Sequence, residues 1–296
     1  MNGLLLVDKP PGRSSHSVVA EARRVLGTRK VGHAGTLDPM ASGLLVLGVG
    51  AGTRLLTFLV GLPKSYEATV RFGITTTTED ADGDVLSRHG VGSGIDETSL
   101  SGALDRFTGT YLQRPSSVSA IKVSGRRAYD RVRAGEAVSL EPREVTVGEI
   151  TVVAAHPTRT VDGVSVLDMS IRTQVSSGTY VRALARDLGD EVGTGAHLTA
   201  LRRTAVGPFS VASAVRLDHL TPTTALLDPG VVATTVLPTV VIGPDEAVAV
   251  THGVRLPCSV DDDGPTALVD ESGELLSIAS CDGGRWRHHM VIPTAS

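Results

Sequence analysis

The sequence is poor in cysteine and in aromatic residues. Only Cys258 and Cys281 occur among 296 residues, and Phe, Trp and Tyr together make up 3% of the chain. Two cysteines are too few for a disulfide scaffold or a four-cysteine zinc site. The nine histidines form no HxxxH pair, so we expect no dedicated metal site. These absences predict a reducing, cytoplasmic setting.

Long hydrophobic runs are also missing. No stretch approaches the ~18 apolar residues of a membrane span, and the apolar run at residues 4–7 is interrupted at once by Asp8 and Lys9. We therefore expect neither a membrane segment nor a signal peptide. With 41% hydrophobic and 20% charged residues, the composition is that of a globular protein with one large domain or two unequal ones.

The chain as a whole has no excess of positive charge. It contains 28 Lys and Arg against 32 Asp and Glu, a net charge of −4, which argues against a general nucleic-acid binder. The distribution is uneven, however. Residues 1–210 carry a net charge of +3 and residues 211–296 a net charge of −7. Residues 1–75 (+5) and 114–143 (+4) are basic, so the acidity belongs to the tail.

The N-terminal segment predicts a strand followed by an amphipathic helix. GLLLVDKP is apolar and ends at prolines, the serines of SSHS are good N-cap residues, and Gly27 stands where a helix would end. Four basic residues fall on or just beyond the exposed side of this helix: Arg23, Arg24, Arg29 and Lys30. For this helix alone, a solvated face is the favoured interpretation.

Asp38 is the first candidate for chemistry. It lies in GHAGTLDPMASGLLVLGVGAGTR, a glycine-rich segment beside an apolar run typical of a buried strand. An isolated Asp-Pro pair is usually a turn or a helix N-cap. Here the surroundings favour a carboxylate held in a desolvated cleft, with His33 five residues earlier.

Residues 79–95 predict an exposed loop in which Asp80, Asp82 and Asp84 form a solvated turn. A helix is predicted at about residues 97–107 and a short one within RRAYDRVRAG. Towards the C-terminus, the composition predicts a linker through residues 221–240. Residues 241–296 alternate short apolar runs with turns, as in a small β-barrel.

The segment SGTYVRALARDLG predicts a helix with one apolar stripe and Arg182 in its first turn. A cation there faces the positive end of the helix dipole, which costs roughly 0.3–1 kcal/mol. A nearby carboxylate would reverse that sign and form a bidentate pair with the guanidinium. A solvated Arg182 is an equally good interpretation.

Two of the four tyrosines, Tyr66 and Tyr180, lie in polar, motif-like segments. Core packing is the simpler interpretation for either residue. In the functional alternative, the ring stacks on a nucleobase while the hydroxyl reaches a proton.

Six segments in this order resemble the bacterial tRNA pseudouridine synthase B (TruB) family over about residues 3–210. They are LLLVDKPPGRSSHSVV, VGHAGTLDPMASGLLVLGVGAGTRL, KSYEATVRFG, RPSSVSAIKVSGRRAYDRVRAG, SSGTYVRALARDLG and GAHLTALRRTAVGPF. The tail resembles the family's C-terminal PUA-like RNA-binding domain more weakly, through its β-rich pattern alone.

The resemblance implies a role for each matching residue. Asp38 matches the catalytic aspartate, Tyr66 the tyrosine that stacks on the target base and is the candidate to remove the C5 proton, and Arg182 the arginine that pairs with the aspartate. Four further positions match substrate-binding residues. They are His33, which fills the space vacated by the flipped base, Tyr180 and Leu201, which line the uracil pocket, and Lys9 of the N-terminal KP motif, which is as much structural as functional.

The resemblance also implies an α+β pseudouridine-synthase fold, with a mixed, largely antiparallel sheet flanked by helices and loops. We expect a catalytic domain over residues 1–240, with a mobile insert at about 76–135, and a PUA-like β-barrel over 241–296. The implied reaction converts uridine 55 in the T-loop of tRNA to pseudouridine. The base leaves its stack, the N1–C1′ bond breaks, the uracil rotates, and C5 joins C1′. Whether Asp38 adds to C1′ or removes a proton from C2′ is open.

This reaction implies tRNA as the partner, and neither a cofactor nor a metal ion. We expect a monomer with no obligate protein partner. One alternative is a non-catalytic RNA chaperone that uses the same cleft to open the tRNA elbow. A second is a nucleotide-cofactor enzyme, because LLVLGVGAGT superficially resembles a dinucleotide loop. In this sequence, however, Thr53 occupies the third glycine position of the dinucleotide-binding motif, and no acidic residue ends a strand ~20 residues later.

Overall fold

The structure is a computed structural model. It describes residues 1–92, 94–95, 97–116, 122–123, 126–127, 140–156, 158–260 and 263–292. None of the helices in these ranges is both long enough and apolar enough to cross a membrane.

Strands dominate the described part of the chain. In chain order they are β1 (Gly3–Lys9), β2 (Val31–His33), β3 (Ser42–Val49), β4 (Lys64–Phe72), β5 (Ile74–Thr76), β6 (Val85–Arg88), β7 (Gly109–Gln113), β8 (Lys122–Val123), β9 (Arg126–Arg127), β10 (Arg143–Ala155), β11 (Arg159–Val161), β12 (Val164–Val175), β13 (Ala196–Val206), β14 (Phe209–Ser210), β15 (Val215–Arg216), β16 (Thr239–Val241), β17 (Thr266–Val269), β18 (Leu275–Asp282) and β19 (Arg285–Val291).

Helices are fewer and short. The α-helices of the described residues are α1 (Ser15–Val25), α2 (Leu56–Val60), α3 (Glu97–Arg106), α4 (Val181–Glu191), α5 (Pro229–Val236) and α6 (Pro244–Thr251). Short 3₁₀ helices cover Gly50–Arg54, Val211–Ser213 and Leu217–His219.

One large mixed sheet organises the N-terminal part of the chain. Its strand order is β15-β1-β3-β13-β4-β12-β10-β7, with β2, β11 and β14 attached to β3, β12 and β13. Only the pairs β1–β15 and β3–β13 are parallel among its described strands. The predicted α+β fold with a mixed, largely antiparallel sheet is confirmed.

Helices α1 and α4 form where the apolar periodicity predicts them. In α1 the Ser14 side chain caps the N-terminus by accepting from the Ser17 backbone N–H, and Val18, Val19 and Ala22 are buried. In α4 the buried positions include Leu184 and Leu188 of the predicted stripe. Both helices pack against the large sheet through the same hydrophobic core.

A four-stranded sheet, ordered β16-β17-β18-β19, follows near the C-terminus. Its buried residues Ile278 and Met290 share one core with Leu4 and Leu6 of β1. The two sheets are therefore packed together. No pairing between β16 and β19 occurs among the described residues, so the PUA-like barrel and the domain boundary at residue 240 stay predictions.

The predicted linker at residues 221–240 is wrong over much of its length. Leu227 exchanges backbone hydrogen bonds with Leu4 of β1. Directly afterwards, Asp228 caps α5 by accepting from the Gly230 and Val231 backbone N–H groups, with Pro229 in the first turn. The local Asp-Pro-Gly signal for a helix start outweighs the loop-like composition around it.

The expectation of reduced cysteines is also wrong for this structure. Cys258 and Cys281 form a disulfide that joins the segment after α6 to β18, with 5.9 Å between their Cα atoms. Backbone pairing of residues 256–258 with residues 284–286, at the start of β19, brings the two thiols together, which their 23-residue separation in sequence does not predict.

The proposed insert at about residues 76–135 is partly described. It contains the β5–β6 hairpin, α3 and β7, which pairs with β10 at the edge of the large sheet. In the segment RRAYDRVRAG, where a short helix is predicted, the first two residues form β9 and the remainder lies outside the described residues, so the helix stays a prediction.

Candidate active site

Asp38 lies in the loop between β2 and β3, and three elements pin the backbone on either side of it. Ser15, the first residue of α1, accepts from the Leu37 N–H at 2.8 Å and donates to the Leu37 carbonyl at 3.0 Å. Lys9 at the end of β1 donates to the Pro39 carbonyl at 3.2 Å. Arg203 on β13 donates to the Gly35 and Thr36 carbonyls. The carboxylate therefore projects from a fixed backbone.

Asp38 and Arg182 form a bidentate ion pair. Arg182 Nε donates to Asp38 Oδ2 at 2.9 Å, and Nη2 donates to Oδ1 at 3.2 Å. The Arg182 side chain is 4% exposed, whereas that of Asp38 is 33% exposed. Such a pair fixes the plane of the carboxylate. Of the two interpretations of Arg182, the carboxylate partner is right and the solvated face is wrong.

The remaining donors of Arg182 bind residues before β6 and after β7. Nη1 donates to the Thr78 carbonyl at 2.8 Å and to Ser116 Oγ at 3.1 Å, and Asp80 Oδ2 lies 3.6 Å from Nε. Burial alone would lower the pKa of Arg182, but the charges of Asp38 and Asp80 raise it above its ordinary value. The guanidinium stays charged in a dry setting.

The solvated turn predicted at residues 80–84 is wrong for Asp80. Its side chain is 7% exposed and accepts from Thr78 Oγ1 and the Asp82 backbone N–H. The turn folds inward because Asp80 also pairs with Leu198 of β13 in an isolated β-bridge. Asp80 is a site residue that the sequence analysis missed, and the DADGD turn pattern carried no sign of its burial.

A pocket of about 260 Å³ opens beside the ion pair. Its lining brings together Asp38, Tyr66, Tyr180, Arg182 and Leu201. Binding sites for drug-sized molecules occupy about 300–1,000 Å³, so this volume suits a single nucleobase better than a large cofactor. Five of the seven predicted site residues therefore meet at one pocket.

The central strands place the two apolar walls of this pocket. Tyr66 on β4 lies opposite Thr173 of β12 and Arg203 of β13, and Leu201 lies opposite Ala68. Side chains on neighbouring strands share a face when they lie in register, which brings residues more than 130 positions apart to one surface.

Tyr180 is held from the edge of the sheet. The Gln113 side-chain amide accepts from the Tyr180 N–H at 2.9 Å and donates to the Tyr180 carbonyl at 3.2 Å. The Arg143 guanidinium carbon lies 5.9 Å from the centre of the Tyr180 ring. A cation at this distance favours the ring face electrostatically. Gln113 thus fixes Tyr180, the N-cap of α4, which precedes Arg182 by two positions.

Lys64 is a second pocket residue that the sequence analysis missed. Its ammonium donates to the Val60 and Leu62 carbonyls and to Ser177 Oγ at 3.2 Å, and it lines the pocket. Burial, reinforced by the charge of Arg203, lowers the pKa of Lys64 to about 8. Lys64 joins the end of α2 to the loop before α4. Its place two residues before Tyr66, on the same face of a strand, was an available signal.

Arg203 is the third missed residue. It is 1% exposed, lines the pocket, and donates to three backbone carbonyls, those of Leu44, Thr36 and Gly35. Within the described part of the chain, no carboxylate lies within 4.0 Å of its guanidinium. The signal was the pair of adjacent arginines in LRRTAV, because successive strand residues point to opposite faces.

Lys9 and His33 lie outside the lining of the pocket. Lys9 is fully buried, and its ammonium donates to the Pro10, Arg13 and Pro39 carbonyls, so it supports the Asp38 loop from behind. Burial lowers its pKa to about 8. His33 packs edge-on against His16 with 5.5 Å between ring centres, and burial lowers its pKa. These contacts give Lys9 a positioning role and leave the role of His33 a prediction.

The glycine-rich segment after β3 is packed against its own chain. A Cβ on Gly52 would lie 2.1 Å from the Gly3 carbonyl oxygen, and one on Gly48 would lie 2.7 Å from the Gly52 carbonyl oxygen. These glycines permit close packing of backbone on backbone and leave no cradle for a pyrophosphate. The alternative of a nucleotide-cofactor enzyme is therefore wrong.

Comparison with known proteins agrees with this geometry. Residues 23–181 match the model of the TruB family pseudouridylate synthase N-terminal domain, and residues 182–249 match that of the tRNA pseudouridylate synthase B C-terminal domain. The chain is 46% identical to the tRNA pseudouridine synthase B of Arthrobacter sp. strain FB24, over 96% of this chain and 94% of the relative. It is 49% identical to that of Cutibacterium acnes, over 94% and 92%.

Solved structures show the same fold. The chain is similar to one in a crystal structure of a Cbf5-Nop10-Gar1 complex, with a TM-score of 0.73 and 26% identity over 98% of this chain and 85% of the other. A chain in the structure of an H/ACA RNP bound to a substrate RNA containing 2′-deoxyuridine has a TM-score of 0.71 at 24% identity. The second similarity supports the fold alone.

Proposed function

The chain belongs to the TruB family of pseudouridylate synthases, and on that premise we propose that it isomerises uridine 55 in the T-loop of tRNA to pseudouridine at the Asp38 pocket. The enzyme is a tRNA pseudouridine synthase, an isomerase. The observation that carries the assignment of the site is the bidentate Asp38–Arg182 pair at the mouth of a pocket lined by Tyr66, Tyr180 and Leu201.

Asp38 has a fixed orientation, and its side chain remains accessible to a substrate. Arg182 occupies both carboxylate oxygens, yet a third of the Asp38 side chain stays exposed. A carboxylate oriented toward the pocket can stabilise the positive charge that develops at C1′ as the glycosidic bond breaks. Arg182, itself held by Asp80 and by the Thr78 carbonyl, keeps the carboxylate in this orientation.

Two routes balance atoms and electrons at this site. In one, an Asp38 oxygen bonds to C1′ while the electron pair of the C1′–N1 bond leaves with the uracil. In the other, Asp38 removes the C2′ proton as the same bond breaks, which leaves a glycal. In both, the uracil rotates and C5 bonds to C1′. The ester bond then breaks in the first route, or the proton returns to C2′ in the second. The C5 proton is lost and N1 gains one.

Tyr66 is the residue we assign to the base. It lines the same pocket as Arg182 and lies on the central strand β4, where its ring can stack on the flipped uracil and its hydroxyl can take the C5 proton. Tyr180 and Leu201 enclose the base on its other sides. A uridine buried in this way must leave its stack, at a cost of a few kcal/mol that contacts to the RNA backbone offset.

The partner we propose is the T-arm of tRNA, bound by a monomer in the cytoplasm. Residues 1–75 carry a net charge of +5 and include the Asp38 loop, which gives a phosphate backbone a favourable surface next to the pocket. The C-terminal sheet belongs to the acidic part of the chain and is less suited to phosphate contacts.

The assignment is tested with the Asp38→Asn variant and a T-arm hairpin transcript. Asparagine keeps the size of the side chain and removes the charge, so pseudouridine formation should fall below detection while RNA affinity changes little. Asp218→Asn is a matched control, because Asp218 forms an exposed ion pair with Arg216 at the surface. This control should turn over at the wild-type rate.

The possible outcomes distinguish a pseudouridine synthase that depends on Asp38 from an RNA chaperone. Full turnover by Asp38→Asn would overturn the role of Asp38. Wild-type protein that binds the hairpin and never isomerises it would favour the RNA chaperone. A hairpin with cytidine at position 55 should bind and yield no pseudouridine, and product at another uridine of that hairpin would overturn the site specificity.

A further inference from the structure

The end of α1 carries a cluster of exposed basic residues that the pocket does not use. Arg23 and Arg24 occupy the last turn of α1, and Arg29 and Lys30 lie in the turn that leads into β2. We call these four residues the α1 patch. All four are exposed. They belong to a stretch, residues 9–66, that contains eight basic and two acidic residues.

The fold gathers the four residues at one place. Arg23 Nη2 donates to the Val31 carbonyl at 2.7 Å, and the Thr28 N–H donates to the Arg23 carbonyl. The end of the helix is therefore tied to the start of β2. Among the described residues, the one ion pair that the α1 patch makes within 4.0 Å joins Arg24 to Glu21 at 3.8 Å. Most of its positive charge thus faces solvent without a carboxylate partner.

Helix α1 also fixes the position of the patch relative to the active site. Its first residue, Ser15, binds both backbone polar groups of Leu37, next to Asp38. The helix has eleven residues, so at 1.5 Å per residue its other end lies roughly 16 Å away. Strand β2 runs from the patch to the Asp38 loop. The patch is therefore joined to the catalytic loop by two short, regular elements.

We propose that the α1 patch binds the phosphate backbone of the RNA stem that flanks the target uridine. This inference rests on the proposed function. A polyanion fits the α1 patch because the positive charge of the patch is concentrated and largely unpaired. In addition, an RNA strand whose target uridine is held at Asp38 passes the patch within a few nucleotides of that uridine. On this proposal, the solvated face that the sequence of this helix favours is also the surface that binds RNA. The contacts are to phosphates, so they set the register of the RNA and not its sequence.

The test is the salt dependence of RNA affinity. In the double variant Arg29→Gln with Lys30→Gln, neither substituted side chain takes part in a hydrogen bond described for the fold. Removing two phosphate contacts should lower the slope of log K against log salt by roughly 1.4–1.8 and weaken binding at least tenfold at about 0.1 M salt. The turnover number at saturating RNA should be unchanged, because the residues of the Asp38 pocket are untouched.

The control is Arg255→Gln with Arg285→Gln, an exposed pair in the acidic C-terminal part. It should bind the same T-arm hairpin with the wild-type slope. A wild-type slope for the Arg29/Lys30 variant would overturn the inference and leave the patch to an acidic protein surface. An equal loss in both variants would also overturn it, because the effect would then be bulk charge. Wild-type protein that binds with the expected slope but makes no pseudouridine would refute the proposed function alone.

Discussion

Arg202 and Arg203 are neighbours on β13, yet their guanidinium groups lie in opposite surroundings. Arg202 forms a partly exposed bidentate pair with Asp8, whereas Arg203 is buried against the backbone of the Asp38 loop. Burying a cation without a carboxylate partner costs free energy, so other interactions have to offset that cost. Here the hydrogen bonds of Arg203 to backbone carbonyls hold the Asp38 loop in place.

This contrast gives a matched pair of variants. Arg203→Met removes the bonds to the Gly35 and Thr36 carbonyls, so the Asp38 loop loses its anchor, and kcat should fall roughly 10²-fold with RNA affinity nearly unchanged. Arg202→Met removes a partly exposed pair and should cost less than about 1 kcal/mol of stability, with kcat unchanged. The comparison uses single-turnover rates, RNA affinity and urea unfolding.

Arg203→Lys keeps the charge but not the forked donors, and should recover part of the lost kcat if position as well as charge matters. Wild-type kcat in Arg203→Met would refute the anchoring role. Parallel losses of kcat and of folded protein would assign Arg203 to stability alone.

Among the secondary-structure elements, the neighbouring strands β4 and β12 are joined by a buried carboxylate. Asp168 on β12 accepts two hydrogen bonds from Arg71 on β4 and one from Arg159 on β11. Burial alone would raise the pKa of Asp168, but the hydrogen bonds from Arg71 and Arg159 lower it below its ordinary value. These contacts hold the strand that carries Tyr66 against its neighbour.

The direction of the pKa shift of Asp168 determines how the stability of the fold depends on pH. Because the folded-state pKa lies below the unfolded value of about 3.9, the carboxylate stabilises the fold above that pH, and this contribution is lost as the pH falls through the folded-state value. Asp168→Asn should therefore cost about 1–3 kcal/mol at pH 7, and the difference from wild type should shrink below about pH 4. Urea unfolding at neutral and acidic pH measures both. An equal loss at both pH values would rule out the charge of Asp168 as the cause.

At the scale of the whole molecule, the two sheets share one hydrophobic core. Leu4, Leu6 and Val46 of the large sheet pack in the same cluster as Val269 and Ile278 of the C-terminal sheet. The C-terminal sheet therefore stabilises the large sheet, whatever it contributes to RNA affinity.

Ile278→Ala tests this coupling. Removing the buried side chain should cost about 2–5 kcal/mol, and both the variant and the wild type should unfold in a single calorimetric transition. A separate, earlier transition for the C-terminal sheet, with the catalytic part melting at its wild-type temperature, would show that the shared core does not couple them. The disulfide between Cys258 and Cys281 should be kept oxidised in both samples.

The sequence alone predicts helices α1, α3 and α4, the fold class through the family resemblance, and five residues that meet at the pocket, whereas α5 lies within a predicted linker. Apolar periodicity, caps and motif residues are local patterns, and Asp38, Tyr66, Tyr180, Arg182 and Leu201 lie in such segments. Only the tertiary structure shows that Asp80, Lys64 and Arg203 are buried, and it brings Arg182 to Asp38, 144 residues away, as the family resemblance implied. Whether a charged group is buried and paired depends on which distant strands lie beside it, and sheet register sets that. Net charge shows the same division, because −4 for the chain describes neither the α1 patch nor the pocket.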